Sequence, residues 1–217
     1  MGLVRIDQAI SLDGYTAGPE QSMDHPLGVG GHGIMQYQFK AGVGGPASNL
    51  EPMPSDVTPD QQIVYEHFQN VGAYIMGRNM FGGGPGAWAT DPVWEGWWGS
   101  NPPYHTPVYV LTHHPREPLA LEGGTTFHFV TDGPEAALAL AREAAGDRDV
   151  KIAGGASTVA QYLRLGVVDV LQLHIAPVLL GGGERPFDGV DPATLGFEID
   201  RVLQGLSTHV RYRVSRS

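Results

Sequence analysis

The sequence predicts an α/β domain with one mixed, mostly parallel sheet and helices on both of its faces. Short apolar runs alternate with amphipathic stretches along most of the chain, which is typical of βαβ units. Several of the runs end in glycine, followed by residues that suit the first turn of a helix. The last two runs, at residues 197–203 and 207–214, are separated by a short break and predict an antiparallel pair at or near a sheet edge.

The composition limits the kinds of protein that the chain can be. Its 217 residues allow one domain with at most a long insertion. Cysteine is absent, which excludes disulfides, thiol catalysis and cysteine-ligated zinc within this chain. A net charge of −10 argues against general nucleic-acid binding. We expect a cytoplasmic protein without a membrane segment, because the N-terminus lacks a signal-peptide pattern and no apolar run approaches the roughly 20 residues of a spanning helix.

The first predicted strand covers residues 3–10, where apolar side chains alternate with Arg5 and Asp7. The loop that follows contains Asp13 and Gly14, a strong turn pair. A loop directly after the first strand is a usual place for ligand contacts in α/β folds. Asp13 therefore either orients a substrate or caps its own turn.

Residues 20–57 are the least regular part of the chain and are rich in glycine and proline. A short helix is predicted at residues 34–39. Long segments without regular structure are uncommon inside domains unless they are functional or disordered, and this one carries too little charge for a disordered tail. We interpret it as an ordered insertion that forms a lid or a dimer contact.

Thr58, Pro59 and Gln61 predict the start of the next helix. The threonine can cap it, the proline suits the first helical position, and the glutamine completes a capping box. His67 falls on the apolar face of this helix, and we interpret it as a packed residue rather than a ligand. A short strand is predicted at residues 73–76.

All four tryptophans lie between residues 88 and 98, in a glycine-rich loop. Aromatic side chains bring a large apolar area together with a polar group. The cluster either walls a pocket for a flat-ring substrate or fixes the loop onto the core, and both interpretations stay open. Beyond it, strands are predicted at residues 107–111, 127–130 and 168–176, with an alanine-rich helix that ends at Gly146.

The most informative junction lies at residues 150–163, which contain a strand, two glycines and the start of a helix. Gly154 and Gly155 permit backbone torsions that other residues resist, and Ser157 and Thr158 suit the first helical turn. Such a junction directs free N–H groups and the positive end of the helix dipole at whatever lies above it, which suits an anion. The alternative is that the glycines serve only close packing of strand against helix.

Two further strand ends carry polar groups, at residues 77–79 (Gly-Arg-Asn) and 112–114 (Thr-His-His). Strand ends of this kind meet at one edge of an α/β sheet, where ligands bind. Together the three ends suit a ligand with several phosphates. The common dinucleotide, P-loop, zinc-protease and serine-hydrolase motifs are absent. No metal site is expected, because adjacent histidines do not place two imidazoles on one helical face.

Five short motifs, in order along most of the chain outside residues 20–57, resemble the dihydrofolate reductase-like family. The motifs lie at residues 11–14 (SLDG), 74–78 (YIMGR), 110–115 (VLTHHP), 152–156 (IAGGA) and 174–183 (HIAPVLLGGG). The branch most similar to them is the reductase domain of bacterial riboflavin biosynthesis proteins. The resemblance implies a three-layer α/β/α fold over residues 1–217 as a single reductase domain. The deaminase domain of the bifunctional riboflavin proteins is excluded, because this chain is too short and lacks the cysteines of that site.

The resemblance also implies that NADPH is the cofactor. Arg78, Thr112 and His113 would meet the 2′-phosphate, since charge-assisted hydrogen bonds suit a dianion. The glycine junction would receive the pyrophosphate, and the loop at residues 9–17 would border the nicotinamide. The cofactor-binding residues expected are Ala9, Gly14, Ala17, Gly77, Arg78, Asn79, Leu111, Thr112, His113, Gly154, Gly155, Ala156, Ser157 and Thr158. We expect Trp88, Trp98 and Ile175 in the substrate pocket and name Asp13 as the candidate catalytic residue.

The function implied is an NADPH-dependent reductase that transfers a hydride to a C=N or C=O bond of a pterin-, pyrimidine- or riboflavin-precursor-like molecule. A folate substrate would call for a carboxylate after the first loop, where Asp24 is the only acid before Glu51. A ribose phosphate would call for basic residues, and Lys40 and Arg185 are available. The alternative is a non-catalytic nucleotide-binding dimer of the same fold. In both cases we expect a homodimer.

Overall fold

Nine strands form one sheet through the computed structural model, which describes residues 2–41, 53–89 and 93–216. In chain order the strands are β1 (Val4–Ser11), β2 (Val71–Gly77), β3 (Pro107–Leu111), β4 (Leu119–Ala120), β5 (Thr126–Val130), β6 (Asp149–Gly154), β7 (Val170–Ala176), β8 (Leu195–Gln204) and β9 (Thr208–Arg216). Across the sheet they lie in the order β4-β5-β3-β2-β6-β1-β7-β9-β8.

The central strands run parallel. β1 lies between β6 and β7, β2 lies between β6 and β3, and β5 extends the parallel set beyond β3. The antiparallel strands are β4 on one edge and the pair β9 and β8 on the other. The predicted fold class is confirmed: a mixed, mostly parallel sheet closes with an antiparallel C-terminal pair at an edge.

Helices cover both faces of the sheet. They are α1 (Gln36–Lys40), α2 (Pro59–Phe68), α3 (Arg78–Phe81), α4 (Pro134–Ala145) and α5 (Ala156–Arg164), and a 3-10 helix (Gly31–Met35) precedes α1. One face packs the apolar side chains of α4 and α5 against Ile6, Ile75 and Ile152. The side chains on the other face are more aromatic, and they pack under α1, α2, α3 and the tryptophan loop.

The start of α2 has the predicted capping box. The Thr58 hydroxyl accepts from the Gln61 N–H, and the Gln61 side chain accepts from the Thr58 N–H. Both interactions satisfy donors that the first helical turn leaves unpaired. At the other end of the helix, His67 and Phe68 reach the cavity described below.

The irregular insertion is partly helical. The helix predicted at residues 34–39 is present as the 3-10 helix and α1. Tyr37 of α1 is buried against Ile34 and Ile63, so this part of the insertion covers the sheet. Residues 42–52 of the predicted insertion lie outside the described residues. The expected homodimer stays a prediction.

Candidate functional site

A cavity of about 850 Å³ lies beyond the carboxyl ends of β2, β3, β5 and β6 and continues along β1 toward α2. Many of the residues predicted from the sequence line it. They are Ala9, Ala17, Gly77, Arg78, Asn79, Trp98, Leu111, Thr112, His113, Gly155, Ala156, Ser157 and Thr158. The parallel pairing of the strands explains this convergence, because parallel strands place their carboxyl ends along one edge.

The junction of β6 and α5 forms one end of the cavity. Gly155 is the residue before the first turn of α5, and the first N–H groups of a helix have no partner inside the helix. A Cβ atom added at Gly155 would meet no heavy atom within 4 Å, so this backbone faces open space. The helix start therefore presents free N–H donors and a positive dipole end to the cavity.

The two glycines of the junction differ in backbone conformation. Gly154 has φ of +120°, in a region that residues with a Cβ rarely adopt. Gly155 has φ of −71° and is extended. Gly77 at the end of β2 lies close by, and a Cβ added there would overlap the hydroxyl of Thr158. Gly77 is thus closely packed against α5, whereas the backbone at Gly155 is open.

Arg78 follows β2 and is held in place by its own loop. Its Nε donates to the carbonyl of Gly82 at 3.1 Å, and its Nη2 donates to the carbonyl of Gly84 at 2.9 Å. The guanidinium lies 3.1 Å from the ring centroid of Trp88, a cation–π contact. Nη1 lies 3.5 Å from the hydroxyl of Thr112, at the end of β3. This nitrogen is directed toward the neighbouring strand end and the cavity.

A second cation lies beside Arg78. Arg116 is 5.1 Å from the Trp88 ring centroid and donates to the carbonyl of Trp94 at 2.7 Å. Burial, and then repulsion from Arg116, lower the pKa of Arg78. Two neighbouring guanidinium groups create a positive potential at this end of the cavity, which favours an anion.

Aromatic side chains form another part of the cavity wall. Phe68, Trp97, Trp98 and Tyr104 line it, and Tyr37 covers the side under the insertion. Trp98 also stacks on Phe127 of the core, with ring centroids 6.2 Å apart. The tryptophan loop therefore serves both roles left open by the sequence, since it fixes itself onto the core and walls a pocket.

A buried ion pair lies at the floor of this aromatic chamber. Nζ of Lys151 lies 2.5 Å from Oδ2 of Asp7, and Asp7 lines the cavity while Lys151 is fully buried. Nδ1 of His67 is 3.7 Å from the same carboxylate oxygen. Burial lowers the pKa of Lys151 to about 7 against the attraction of Asp7. Burial alone raises the pKa of Asp7, but Lys151 and Arg5 outweigh it and hold that pKa well below its usual range.

A second group of polar side chains in hydrogen-bond contact is buried beside the floor of the cavity. Asp60 on α2 contacts His209 on β9, and His209 contacts His174 on β7. Tyr37 packs over both imidazoles, with centroid distances of 4.8 and 5.2 Å. Nε2 of His174 is buried without a hydrogen-bond partner among the described residues. Burial, and then Asp7, raise the pKa of Tyr37, so its phenol stays neutral.

Asp13 is placed outside the cavity lining within the described part of the chain. Its carboxylate accepts from the Ser11 hydroxyl at 2.5 Å, from the Gly181 N–H at 2.7 Å and from the Leu180 N–H at 3.1 Å. The Ser11 hydrogen bond and the two N–H groups lower the pKa of Asp13 to about 2. Of the two roles considered, this geometry matches the cap of a turn and ties that turn to the loop after β7.

Four more predicted residues lie off the cavity lining as described, namely Gly14, Gly154, Trp88 and Ile175. Gly14 is at the tip of its turn, where a Cβ would meet nothing within 4 Å. Trp88 packs beneath Arg78 and donates to the carbonyl of His114 at 2.8 Å. Ile175 packs into the core under α5. Successive strand residues point to opposite faces, so its neighbour His174 lies on the other face of the sheet, where it packs against Tyr37.

The positions of Asp7, Lys151 and His67 at the cavity were not predicted from the sequence. A signal was present: Lys151 is a charged residue between the apolar Val150 and Ile152 of β6, and Asp7 is a charged residue in another central strand. Buried charges occur mainly in oppositely charged pairs. A charged residue in each of two adjacent buried strands therefore predicts an ion pair between them. Their adjacency depends on the pairing of β1 with β6, which sequence pattern alone did not supply.

Among residues 2–41, 53–89 and 93–216, no group of three or more histidine, aspartate and glutamate side chains is arranged to hold a metal ion. None of the helices described in those ranges combines the length and the apolar character needed to cross a membrane.

The sheet, its flanking helices and the cavity at the strand ends define an α/β protein of the dihydrofolate reductase-like class. The chain belongs to the RibD C-terminal domain family, which it matches over residues 3–208. The resemblance inferred from the five motifs is thereby confirmed. No functionally curated protein matches the sequence.

Solved structures support the same fold at low sequence identity. A protein from Shewanella sp. PV-4, provisionally assigned to riboflavin biosynthesis, is 22% identical with a TM-score of 0.59, and the match covers 99% of both chains. RibD from Acinetobacter baumannii is 19% identical with a TM-score of 0.55, over 99% of this chain but 58% of that longer one. Dihydrofolate reductase from Enterococcus faecalis is 15% identical with a TM-score of 0.52, over 100% of this chain and 97% of the other.

Proposed function

We propose that the protein is an NADPH-dependent reductase that transfers a hydride to a C=N or C=O bond of a small pterin-, pyrimidine- or riboflavin-precursor-like molecule. The observation that carries the proposal is a single cavity that joins two anion-favouring ends of the sheet to an aromatic chamber with a polar floor. A dinucleotide needs the first two features, and a flat heterocycle needs the third.

The residues present fit a dinucleotide phosphate. The free N–H groups of Ala156 and Ser157 would hold the pyrophosphate, in the space that the absent side chain of Gly155 leaves open. Arg78, Thr112 and His113 would hold the 2′-phosphate, since the free donor capacity of Arg78 lies on that side. When bound, the reduced nicotinamide supplies two electrons and a hydrogen as hydride.

The nicotinamide end would lie against β1 and its following loop. Ala9 and Ala17 line this part of the cavity and have small side chains. The loop is held by two connections: the Thr16 N–H donates to the carbonyl of Glu184 at 2.8 Å, and Asp13 binds the backbone of the loop after β7. A rigid wall of small residues allows a flat ring to approach closely, and positioning of the reacting rings dominates hydride transfer.

Relatives support this assignment in chemical class. The family is named for the C-terminal domain of RibD. The Enterococcus faecalis dihydrofolate reductase structure contains NADP(H). A structure from Corynebacterium diphtheriae is described as a pyrimidine reductase-like protein, at 16% identity and a TM-score of 0.52. Those two solved structures are described as a dihydrofolate reductase and a pyrimidine reductase-like protein, and a flat heterocycle is the substrate class that the aromatic chamber favours.

The test is a pair of measurements on the purified protein. Titration with NADPH and NADH, followed by cofactor fluorescence, should show saturable binding with a preference for NADPH. NADPH oxidation is then followed by absorbance with dihydrofolate, pyrimidine riboflavin precursors and simple cyclic imines as electron acceptors. Binding of NADPH without oxidation by any member of this panel would favour the non-catalytic alternative, and no binding would defeat the proposal.

A further inference from the structure

The ion pair at the cavity floor is built from three elements. Asp7 comes from β1, Lys151 from β6 and His67 from α2. Nζ of Lys151 lies 2.5 Å from Oδ2 of Asp7 and donates to the backbone carbonyl of His67 at 2.7 Å. Lys151 is fully buried, whereas Asp7 forms part of the cavity lining with a side chain 8% exposed. Asp7 thus separates the ammonium group from the cavity.

Burial of the Asp7–Lys151 ion pair carries a large desolvation free energy. Removal of an ammonium and a carboxylate from water costs several kcal/mol each, and buried pairs are often no more stabilising than apolar residues of similar size. The neighbours of Lys151 in β6, Val150 and Ile152, are buried apolar residues of the kind that would fill the site. Packing of the fold therefore does not explain why this site holds two charged residues. Their position beside the cavity explains it.

We propose that Asp7 and Lys151 are the proton source of the reaction, with Asp7 as the group that protonates the substrate and Lys151 as the group that supplies the proton to Asp7. This inference rests on the proposed reductase function. It assigns the reacting heteroatom of the substrate, a nitrogen or oxygen of the C=N or C=O bond, to the floor of the aromatic chamber beside Asp7.

The substrate carbon receives two electrons and one hydrogen as hydride from the reduced nicotinamide, and the electrons of the double bond move to its nitrogen or oxygen. Asp7 is ionised at the start and carries no proton of its own, so the proton comes from Nζ of Lys151. It crosses their 2.5 Å contact to Asp7 and passes on to the substrate atom as the new N–H or O–H bond forms, which leaves a carboxylate and a neutral amine. After product release, water in the cavity returns one proton to the pair.

The electrostatics of the site suit this role. Burial lowers the pKa of Lys151 to about 7, so the lysine can release a proton near neutral pH, where a general acid is most effective. Other titratable or charged groups face the pair from the surrounding elements. They are Arg5 on β1, Tyr37 on α1, His67 on α2, Tyr74 on β2, His174 on β7 and Arg201 on β8. Burial lowers the pKa values of both histidines, so they do not compete as acids at neutral pH.

Three variants test the proposal. Asp7→Asn and Lys151→Met keep side-chain volume but remove one member of the pair. Asp149→Asn is the matched control, because Asp149 pairs with Arg5 across the same two strands at 3.4 Å and lies off the described cavity lining. With dihydrofolate or 2-methyl-1-pyrroline as the probe, both pair variants should lose at least about a hundredfold in kcat. Their Kd for NADPH should stay near the wild-type value, and the control should keep both.

A second readout needs no substrate. The chain has only two lysines, Lys40 and Lys151, so NMR of protein labelled at the lysine Cε resolves both. One resonance should titrate near pH 7 and be absent in Lys151→Met. In Asp7→Asn its midpoint should fall further, because the carboxylate that favours the charged lysine is gone. The exposed Lys40 is the internal reference.

The outcomes separate this inference from the function on which it rests. A folded Asp7→Asn that binds NADPH and keeps wild-type turnover overturns the proton-source role alone, as does a Lys151 resonance that does not titrate between about pH 5 and 9. Wild-type protein that binds no NADPH overturns the proposed function and this role with it. If the wild-type protein reduces neither dihydrofolate nor 2-methyl-1-pyrroline, the titration of the Lys151 resonance decides whether the proposal stands. Where single variants fail to fold, the neutral pair Asp7→Leu with Lys151→Met restores packing, and its turnover decides.

Discussion

Nδ1 of His174 lies 2.8 Å from Nδ1 of His209, and both rings are buried. One nitrogen must donate and the other accept. The contact of His209 Nε2 with Asp60, at 3.0 Å, places a hydrogen on that nitrogen, because a carboxylate accepts. A neutral His209 then accepts at Nδ1, and His174 donates. His174 Nε2 is left as a buried acceptor, in agreement with its lack of a described partner.

This arrangement predicts loss of stability in mild acid. Burial lowers the pKa of His174 to about 3, and burial also lowers that of His209. An unfolded histidine takes up a proton near pH 6.5, whereas folded His174 does not until about pH 3. The free energy of unfolding should therefore fall as pH drops between these values, by up to about 1.4 kcal/mol per pH unit for each histidine held neutral.

Urea unfolding at several pH values checks this. His174→Gln keeps a hydrogen-bond donor toward His209 but does not titrate, so its stability should fall less steeply below about pH 6.5. His25→Gln removes an exposed histidine and should keep the wild-type slope. Equal slopes for His174→Gln and wild type would show that His174 is not held neutral.

Asp13 gives a second prediction, which separates a positioning role from catalysis. Asp13→Ala removes the hydrogen bonds that its carboxylate accepts from the Leu180 and Gly181 N–H groups of the loop after β7, and the one that it accepts from the Ser11 hydroxyl at the end of β1. The loop that would border the nicotinamide should become less ordered, so we expect a lower melting temperature and weaker NADPH binding. Turnover at saturating cofactor should be retained, because Asp13 lies off the described cavity lining.

The measurement is steady-state kinetics together with thermal melts, and Asp24→Ala, at an exposed acid in the insertion, is the control. The Ser11 hydroxyl and the Gly181 and Leu180 N–H groups lower the pKa of Asp13 to about 2. Asp13 should therefore contribute no pH dependence near neutrality. A collapse of kcat with unchanged KM for NADPH would restore the catalytic role.

A third prediction concerns cofactor selectivity. Arg78→Ala should weaken NADPH binding more than NADH binding, since the proposed contact is with the extra phosphate. One charge-assisted contact contributes about 1.5–3 kcal/mol, or roughly ten- to a hundredfold in affinity. The guanidinium also binds the carbonyls of Gly82, Gly83 and Gly84, so some loss should be common to both cofactors.

Trp88→Leu is the matched variant for this common loss. It removes the ring that stacks on Arg78 but keeps the charge, so it should weaken both cofactors by similar factors. Parallel fluorescence titrations of the two variants isolate the phosphate contribution. The same loss of NADPH and NADH affinity in Arg78→Ala would show that another residue meets the phosphate.

Local patterns of the sequence predicted most of the fold. Apolar runs located the parallel strands, and the capping box of Thr58 and Gln61 located the start of α2. These signals work because strand periodicity and helix caps depend on residues close together in sequence. The two-residue β4 was not predicted, since so short a strand has no periodicity of its own.

The site was less predictable because its floor depends on pairing between distant strands. Asp7 and Lys151 meet through the register that aligns Arg5 with Lys151. Ile175, which was expected in the substrate pocket, packs against the core and lies off the described cavity lining, because successive residues of a strand point to opposite faces. The strand ends, in contrast, were placed correctly on the cavity by the parallel topology alone.

The last prediction distinguishes the two glycines of the central junction. The two glycines were treated alike in the sequence analysis, and the structure separates them: Gly154 has φ of +120°, whereas Gly155 has φ of −71°. Gly154→Val should therefore lose stability, because its backbone resists a side chain and a Cβ there would lie 3.3 Å from the Gln8 amide oxygen.

Gly155→Val should fold normally and lose the cofactor. Its φ and ψ lie in the extended region that valine adopts, and its Cβ would meet no heavy atom within 4 Å, so the melting temperature without ligand should stay near the wild-type value. The valine side chain would fill the space above the free N–H groups of Ala156 and Ser157, which the pyrophosphate needs. At a hundred times Kd, NADPH should stabilise wild type by about 2.7 kcal/mol, and this gain should vanish in the variant. Thermal melts with and without NADPH measure both quantities. A folded Gly155→Val that NADPH stabilises as strongly as wild type would show that the glycines serve packing alone and that the pyrophosphate binds elsewhere.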